Sequence, residues 1–236
     1  MTEPFGIIDA SWPAASLRRA GGFLIREGKG GGSRVSCATL EVPLEEADIP
    51  AAEAAHVALG QVPRFMIRGG EEALDAALAA RGYVAHDPTR IWSAPIARVQ
   101  GEVPPVTAFA HWPPLQIVRD LWSELQVGPE RQAIMERITE PKACVLGRRD
   151  DRAAGAAFVT LHEGIAMVHA LAVAPAFRRK GLARALIYEA ARWAKEQGAT
   201  QFEMLVVEAN DASTSLAKSL GMTVRQSYHY RCKGAA

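Results

Sequence analysis

The densest cluster of chemistry-bearing residues is Arg178-Arg179-Lys180-Gly181-Leu182-Ala183-Arg184, four cations around one glycine where an apolar strand pattern gives way to a helical one. The first turn of a helix carries N–H groups with no intrahelical partner, and the aligned peptide dipoles make that end positive. A basic, glycine-containing loop in front of it suits an anion such as a pyrophosphate. Gly181 removes the Cβ that would hold a phosphate away, and Ala183 keeps the next position small. The same string also reads as a solvated basic loop that caps a helix, so its surroundings decide between the two.

Those surroundings are ordered. Residues 115–125 and 130–138 carry helical spacing, interrupted at Gly128 and Pro129. Three strand patterns follow, at 143–148, 154–161 and 165–173, separated by turn-rich segments, as in an antiparallel meander. From Leu182 onward the period changes: Leu182, Leu186, Ile187, Ala190, Trp193 and Ala194 share one helical face, and Gly198 supplies the stop. A strand at 202–207, a helix at 212–220 ended by Gly221, and a strand at 223–232 complete this half. The order implies one mixed, mostly antiparallel sheet flanked by helices, an α/β (α+β) class.

A proline-rich patch, residues 101–105 followed by Trp112, Pro113 and Pro114, marks a boundary between domains at 1–102 and 103–236. The first half shows strands at 64–68, 83–86 and 90–96 and a helix at 71–81. Its Leu78-Ala79-Ala80-Arg81-Gly82-Tyr83 parallels Ala217-Lys218-Ser219-Leu220-Gly221-Met222, the trace of a degenerate internal duplication. The run Gly28-Lys29-Gly30-Gly31-Gly32-Ser33 lacks the spacing of a phosphate loop and reads as a flexible hairpin between strands at 23–27 and 34–39. Residues 41–50 carry Glu45, Glu46 and Asp48, which would repel a pyrophosphate, so a single anion site is expected, in the second half. The first half then serves as a lid, substrate wall or packing partner.

Lys plus Arg number 27 against 26 Asp plus Glu, a formal charge of +1 that provides no field to gather nucleic acid or anionic lipid. Cys37, Cys144 and Cys232 form no C-x-x-C pair, and the six histidines show no H-x-x-x-H or H-x-E spacing. Reduced thiols and no metal are expected. The opening residues MTEPFGIIDASWP lack a basic and then apolar leader pattern, and no run approaches the ~20 apolar residues of a membrane span. The expectation is a cytoplasmic chain without membrane or nucleic-acid partners. Its oligomeric state has no sequence signature.

The string Arg178-Arg179-Lys180-Gly181-Leu182-Ala183, the preceding Leu171-Ala172-Val173-Ala174-Pro175 and the element order around them resemble the GNAT N-acyltransferases over roughly residues 108–232. The first half is similar to the degenerate N-terminal modules of tandem GNAT proteins. The resemblance implies acetyl-CoA as cosubstrate, its pantetheine arm pairing with Leu171, Ala172 and Val173. Its pyrophosphate would rest on Arg178, Arg179, Lys180, Gly181, Leu182, Ala183 and Arg184. It further implies that Val173 N–H meets the thioester carbonyl, where an oxyanion develops, and that Asn210 and Ser213 lie beside the cofactor arm. Asn210-Asp211 is also simply a good helix N-cap pair.

The implied reaction is transfer of acetyl to a small-molecule or peptide primary amine by direct attack, without a covalent enzyme intermediate. His169 matches a strand histidine of aralkylamine-type members that deprotonates the amine, and an ordinary pKa near ~6.5 suits that task. As a residue of an apolar strand it is equally a hydrogen-bonded core histidine. Glu163 is the alternative base, through water. The position at which many members carry a tyrosine acid is Ala217, which leaves Tyr228 or Tyr230 as substitutes, each also readable as an ordinary strand tyrosine. The missing tyrosine keeps open a second reading, an acyl-CoA-binding sensor without turnover.

Overall fold

The computed structural model describes residues 4–233. The first half contains α1 (Pro4–Ser11), β1 (Ser16–Ala20), β2 (Phe23–Glu27), β3 (Ala38–Leu40), α2 (Ile49–Ala58), β4 (Arg64–Arg68), α3 (Glu72–Ala80) and β5 (Val84–Pro95). The second contains β6 (Ala108–His111), α4 (Gln116–Glu124), α5 (Pro129–Arg137), β7 (Lys142–Arg149), β8 (Arg152–His162), β9 (Ile165–Val173), α6 (Leu182–Glu196), β10 (Gln201–Val207), α7 (Asp211–Ser219) and β11 (Thr223–Cys232). All these strands join one sheet, ordered β1-β2-β3-β4-β11-β5-β10-β9-β8-β7-β6. Only β3–β4 and β9–β10 pair in parallel. The expected mixed, mostly antiparallel sheet is observed.

The two halves interlock at the centre of that sheet. β5 lies between β10 and β11, and β11 in turn pairs with β4, so each half lends its last strand to the other. In the shared pair, Val84 faces Cys232 and Ser93 faces Thr223. The shift that carries Val84 onto Thr223 also carries Ser93 onto Cys232, so the pair maps onto itself. The helix ends before these strands match too. Gly82 and Gly221 are left-handed at φ +82° and +70°, a conformation glycine adopts without a Cβ penalty. Tyr83 N–H donates to Leu78 O at 3.1 Å, and Met222 N–H to Ala217 O at 3.2 Å. The sequence parallel between these segments therefore has a geometric counterpart.

Helices cover both faces. On α6, Leu182, Leu186, Ile187, Ala190, Ala191 and Ala194 are buried against Val145, Ala157, Val168, Phe202 and Met204 of the sheet. On the opposite face Val118, Leu121 and Trp122 of α4 and Ile134 and Met135 of α5 pack on Cys144, Leu146 and Phe158. A cavity left by truncating a buried leucine such as Leu186 costs about 2–5 kcal/mol, so α6 is fixed against the sheet that carries the loop in front of it. No helix of the described residues is long and apolar enough to cross a membrane.

Several expectations are corrected. The strands expected at 83–86 and 90–96 are one strand: Asp87 at φ +48° and a register shift between Tyr228 and Tyr230 absorb Pro88 within the ladder. The strand expected at 34–39 is only Ala38–Leu40, preceded by a 3-10 turn at Ser33–Val35. The glycine run is not a free hairpin: a Cβ on Gly31 would lie 2.6 Å from Ile134 Cδ1, and one on Gly30 2.9 Å from Glu130 Cγ. Helix α1 was not anticipated. Its Phe5, Ile7 and Ile8 close the seam beneath Met66, Ile91, Met167, Tyr228 and Tyr230.

Candidate active site

Strands β9 and β10 run parallel and pair from Gln201–Ile165 to Met204–Val168, and there the pairing ends. A bulge turns β9 away. Phe158 faces His169 and Ala156 faces Ala172, so Ala157 alone opposes Ala170 and Leu171, with Ala170 at φ +49°. An extra residue on one strand bends it and adds twist. The bulge is held from below, where Trp122 Nε1 donates to Ala170 O at 3.1 Å. The outcome is a cleft between diverging strands, one edge of which is unpaired backbone.

The direction of that edge follows from alternation. Ala174 N–H donates to Ala154 O on the β8 side at 2.9 Å, so the N–H and C=O of Val173 face the open cleft. Arg178 Nε donates to Val173 O at 3.0 Å, which anchors the basic loop to the strand end. Gly181 is left-handed at φ +83° and directly precedes α6, whose start has no side-chain cap. The earliest backbone bond of this helix is Ala185 N–H to Gly181 O at 3.1 Å, leaving the first-turn amides available to a ligand. A Cβ on Gly181 would meet nothing within 4 Å. The space in front is therefore open.

Leu171, Ala172, Val173, Arg178, Arg179, Gly181, Leu182, Ala183, Arg184, Asn210 and Ser213 line one groove of about 760 Å³, with no carboxylate among its lining residues. Most of the expected cofactor set is brought together there. Lys180 is the exception; its ammonium lies 5.7 Å from the centre of the Phe177 ring. Asn210 caps α7, its Oδ1 accepting from Ser213 N–H at 3.0 Å, and also lines the groove. In the first half the corresponding helix start is closed by its own carboxylate, Asp48, which accepts from Ala51 N–H at 3.0 Å.

The groove opens into a second cavity of about 430 Å³. Leu125, Leu171, Ala172, Asn210 and Ser213 line both. Its far wall comes from the first half and the seam: Trp12, Gly31, Gly32, Arg34, Asp87, Thr89, Tyr228 and Tyr230. The tyrosine rings lie 5.5 Å apart edge to face. Two positions apart on β11, they share one face of the strand, and both line the cavity. Burial pushes the Tyr230 hydroxyl well above its ordinary range. The Tyr228 hydroxyl is buried without a hydrogen bond of good geometry, although Arg34 lies beside it.

His169 reaches this cavity but is not poised as a base. Arg34 Nη1 lies 3.1 Å from its Nδ1 and Ser11 Oγ 3.0 Å from its Nε2. A guanidinium only donates, so Nδ1 accepts and Nε2 carries the proton. Trp12 covers the ring at 4.8 Å between centroids. Burial, and then the charge of Arg34, hold the imidazole well below its ordinary pKa. Glu163 sits at the opposite end of β9, 3.8 Å from His162, and lines neither cavity. Ala217 is fully buried in the α6-side core and lines neither cavity.

Sequence reasoning missed Arg34, Trp12, Ser11, Asp87 and Thr89, all from the half expected to be a wall. One signal was available: Arg34 is a cation that follows a glycine run and precedes a mostly uncharged stretch. Among the described residues no three His, Cys, Asp or Glu side chains gather as for a metal ion.

Comparison with known proteins fits this geometry. Residues 110–222 match the model of the acetyltransferase (GNAT) family. The uncharacterized N-acetyltransferase YobR of Bacillus subtilis (strain 168) is 26% identical over 234 residues, 95% of each chain. A GCN5-related N-acetyltransferase from Kribbella flavida has a TM-score of 0.70 at 16% identity, over 100% of this chain and 97% of its own. A tandem GNAT protein from the clavulanic acid biosynthesis pathway has a TM-score of 0.62 at 14% identity, over 80% and 69%. The two structural likenesses speak for the fold.

Proposed function

We infer that this chain, a member of the acetyltransferase (GNAT) superfamily, is an N-acetyltransferase that moves acetyl from acetyl-CoA to a primary amine by direct attack. The observation that carries the reading is the pairing of an open β9–β10 cleft with an uncapped helix start behind Gly181. The residues of the groove fit coenzyme A. The Val173 edge suits the pantetheine arm, and the amides of Leu182 and Ala183 with Arg178, Arg179 and Arg184 suit the pyrophosphate. Acetyl-CoA, when bound, supplies the thioester, and the chain's own groups orient it and move protons.

The acceptor enters from the cavity shared with the first half. Its neutral nitrogen attacks the thioester carbon, and Val173 N–H donates to the oxygen as charge collects there. As the carbon–sulfur bond breaks, Tyr228 gives its hydroxyl proton to the sulfur and recovers one from the new amide nitrogen through water. The products are the amide and the free thiol, with no proton gained or lost. His169 keeps its Nδ1 lone pair on Arg34 and acts as a positioning residue.

We read residues 1–102 as a degenerate GNAT-like half and 103–236 as the cofactor-binding half. The support is the symmetry of the β5–β11 pair. The experiment for the whole reading is thiol release from acetyl-CoA across an amine panel. Turnover with at least one amine is expected. Coenzyme A binding with no turnover across the panel would favour the sensor, the reading that Ala217 keeps open.

A further inference from the structure

Resting on the acetyl-transfer reading, we propose that the acceptor is an amine that also bears a carboxylate, as a free amino acid does, and that Arg34 holds this carboxylate. Arg34 lines the acceptor cavity with Tyr228, Tyr230 and His169. The residue is half-buried where it faces the cavity. Nη1 is directed at the uncharged His169 Nδ1, and Nε is buried without a hydrogen-bond partner. No carboxylate of the described residues lies within ion-pair distance of it.

The one arginine buried as a whole among the described residues, Arg26, is neutralised: Asp9 meets it at 2.6 and 2.8 Å. An enclosed cation left without a counter-charge is costly, so a ligand that supplies the charge is the economical explanation of a cavity built around one. The guanidinium fork matches a carboxylate in two parallel bonds. Coenzyme A phosphates are not that ligand, because Arg178, Arg179 and Arg184 line the other groove and no residue of the 178–184 loop lines this cavity. Arg131 adds a second cation to the lining, and the size, about 430 Å³, suits a small molecule.

The test pairs amino acids with their primary amides, which keep the amine and remove the negative charge. Thiol release is measured for the wild type and Arg34→Met, and calorimetry follows binding of the same probes to coenzyme A-loaded protein. For the wild type, acids are expected to exceed amides in kcat/KM by about 30-fold or more. Arg34→Met abolishes that preference, mainly through KM for the acids; the readout is the acid-to-amide ratio of kcat/KM, in which any change common to both, such as release of His169 from Arg34, cancels. Equal use of acids and amides by the wild type, or an acid preference retained in the variant, overturns the inference and leaves acetyl transfer standing. Binding of acids to the wild type alone, without turnover, upholds the carboxylate site at Arg34 and removes the transfer reading together with the acceptor role. Absence of both turnover and selective binding overturns both. If Arg34→Met does not fold, Arg34→Lys keeps the charge without the fork and is expected to retain part of the preference; full retention of the wild-type value with no dependence on the fork, or none at all, contradicts the proposal.

Discussion

Arg34 Nη1 and His169 Nδ1 face each other at 3.1 Å across the two halves of the chain, and the contact fixes the histidine as a hydrogen-bond acceptor. A lone pair engaged by a guanidinium is a poor destination for an amine proton.

The rising limb of the pH–rate profile should follow the acceptor's own ammonium pKa. Across amines of differing basicity the apparent pKa of kcat/KM should move with the amine. His169→Gln should lower the rate without removing that dependence. A limb fixed near ~6.5 for every amine and absent in His169→Gln would restore the histidine as base.

Stability should fall on acidification. His169 is held neutral in the folded chain, whereas the unfolded chain takes up its proton near ~6.5. The unfolded state thus binds more protons below that pH, and stability declines toward the depressed folded pKa by up to about 1.4 kcal/mol per pH unit. His56, also lowered by burial, contributes the same way in wild type and variant. Urea melts at pH 7 and pH 5 should show a shallower loss in His169→Gln; equal slopes would contradict the buried, neutral assignment.

Tyr228→Phe should separate stability from catalysis. The hydroxyl it removes is buried and without a good hydrogen bond, so stability should stay level or rise slightly. If that hydroxyl protonates the departing sulfur, kcat should fall by about 10²-fold or more with little change in either KM. A variant as active as the wild type would exclude Tyr228 as the acid.

Trp122→Phe should weaken the β9 bulge. The loss of the Nε1 bond leaves Ala170 O unsatisfied, a cost of about 1–3 kcal/mol, and a smaller ring at a fully buried position adds to it. The KM for acetyl-CoA should rise several-fold, more than that for the acceptor. Unchanged cofactor KM would mean that the cleft does not depend on this contact.

The groove in front of α6 was legible because its signals are local. One glycine, its flanking cations and the change from strand to helix period lie within a few residues, and β9 and α6 begin where the pattern starts them. Asn210 and Ser213 were reachable for the same reason. The second cavity was not. Arg34 and His169 stand 135 positions apart and meet only in the folded chain, and contact between segments so distant in sequence leaves no short-range pattern. Pro88 inside β5 read as a break because the kink that accommodates it depends on β11. The glycines at 30 and 31 looked like a loose turn, yet their smallness serves close packing on α5.

The central claim is that the start of α6 grips a diphosphate, and a calorimetric titration of coenzyme A into wild type, Gly181→Asn and Gly181→Glu tests it most directly. Nothing in the fold occupies the space before Gly181, and asparagine tolerates its left-handed backbone better than most residues, so the asparagine variant controls for backbone strain. The glutamate should weaken binding by about 30-fold or more, roughly 2 kcal/mol, by setting a carboxylate against the phosphates, while asparagine costs far less. Affinity for coenzyme A in Gly181→Glu within twofold of the wild type would contradict the account.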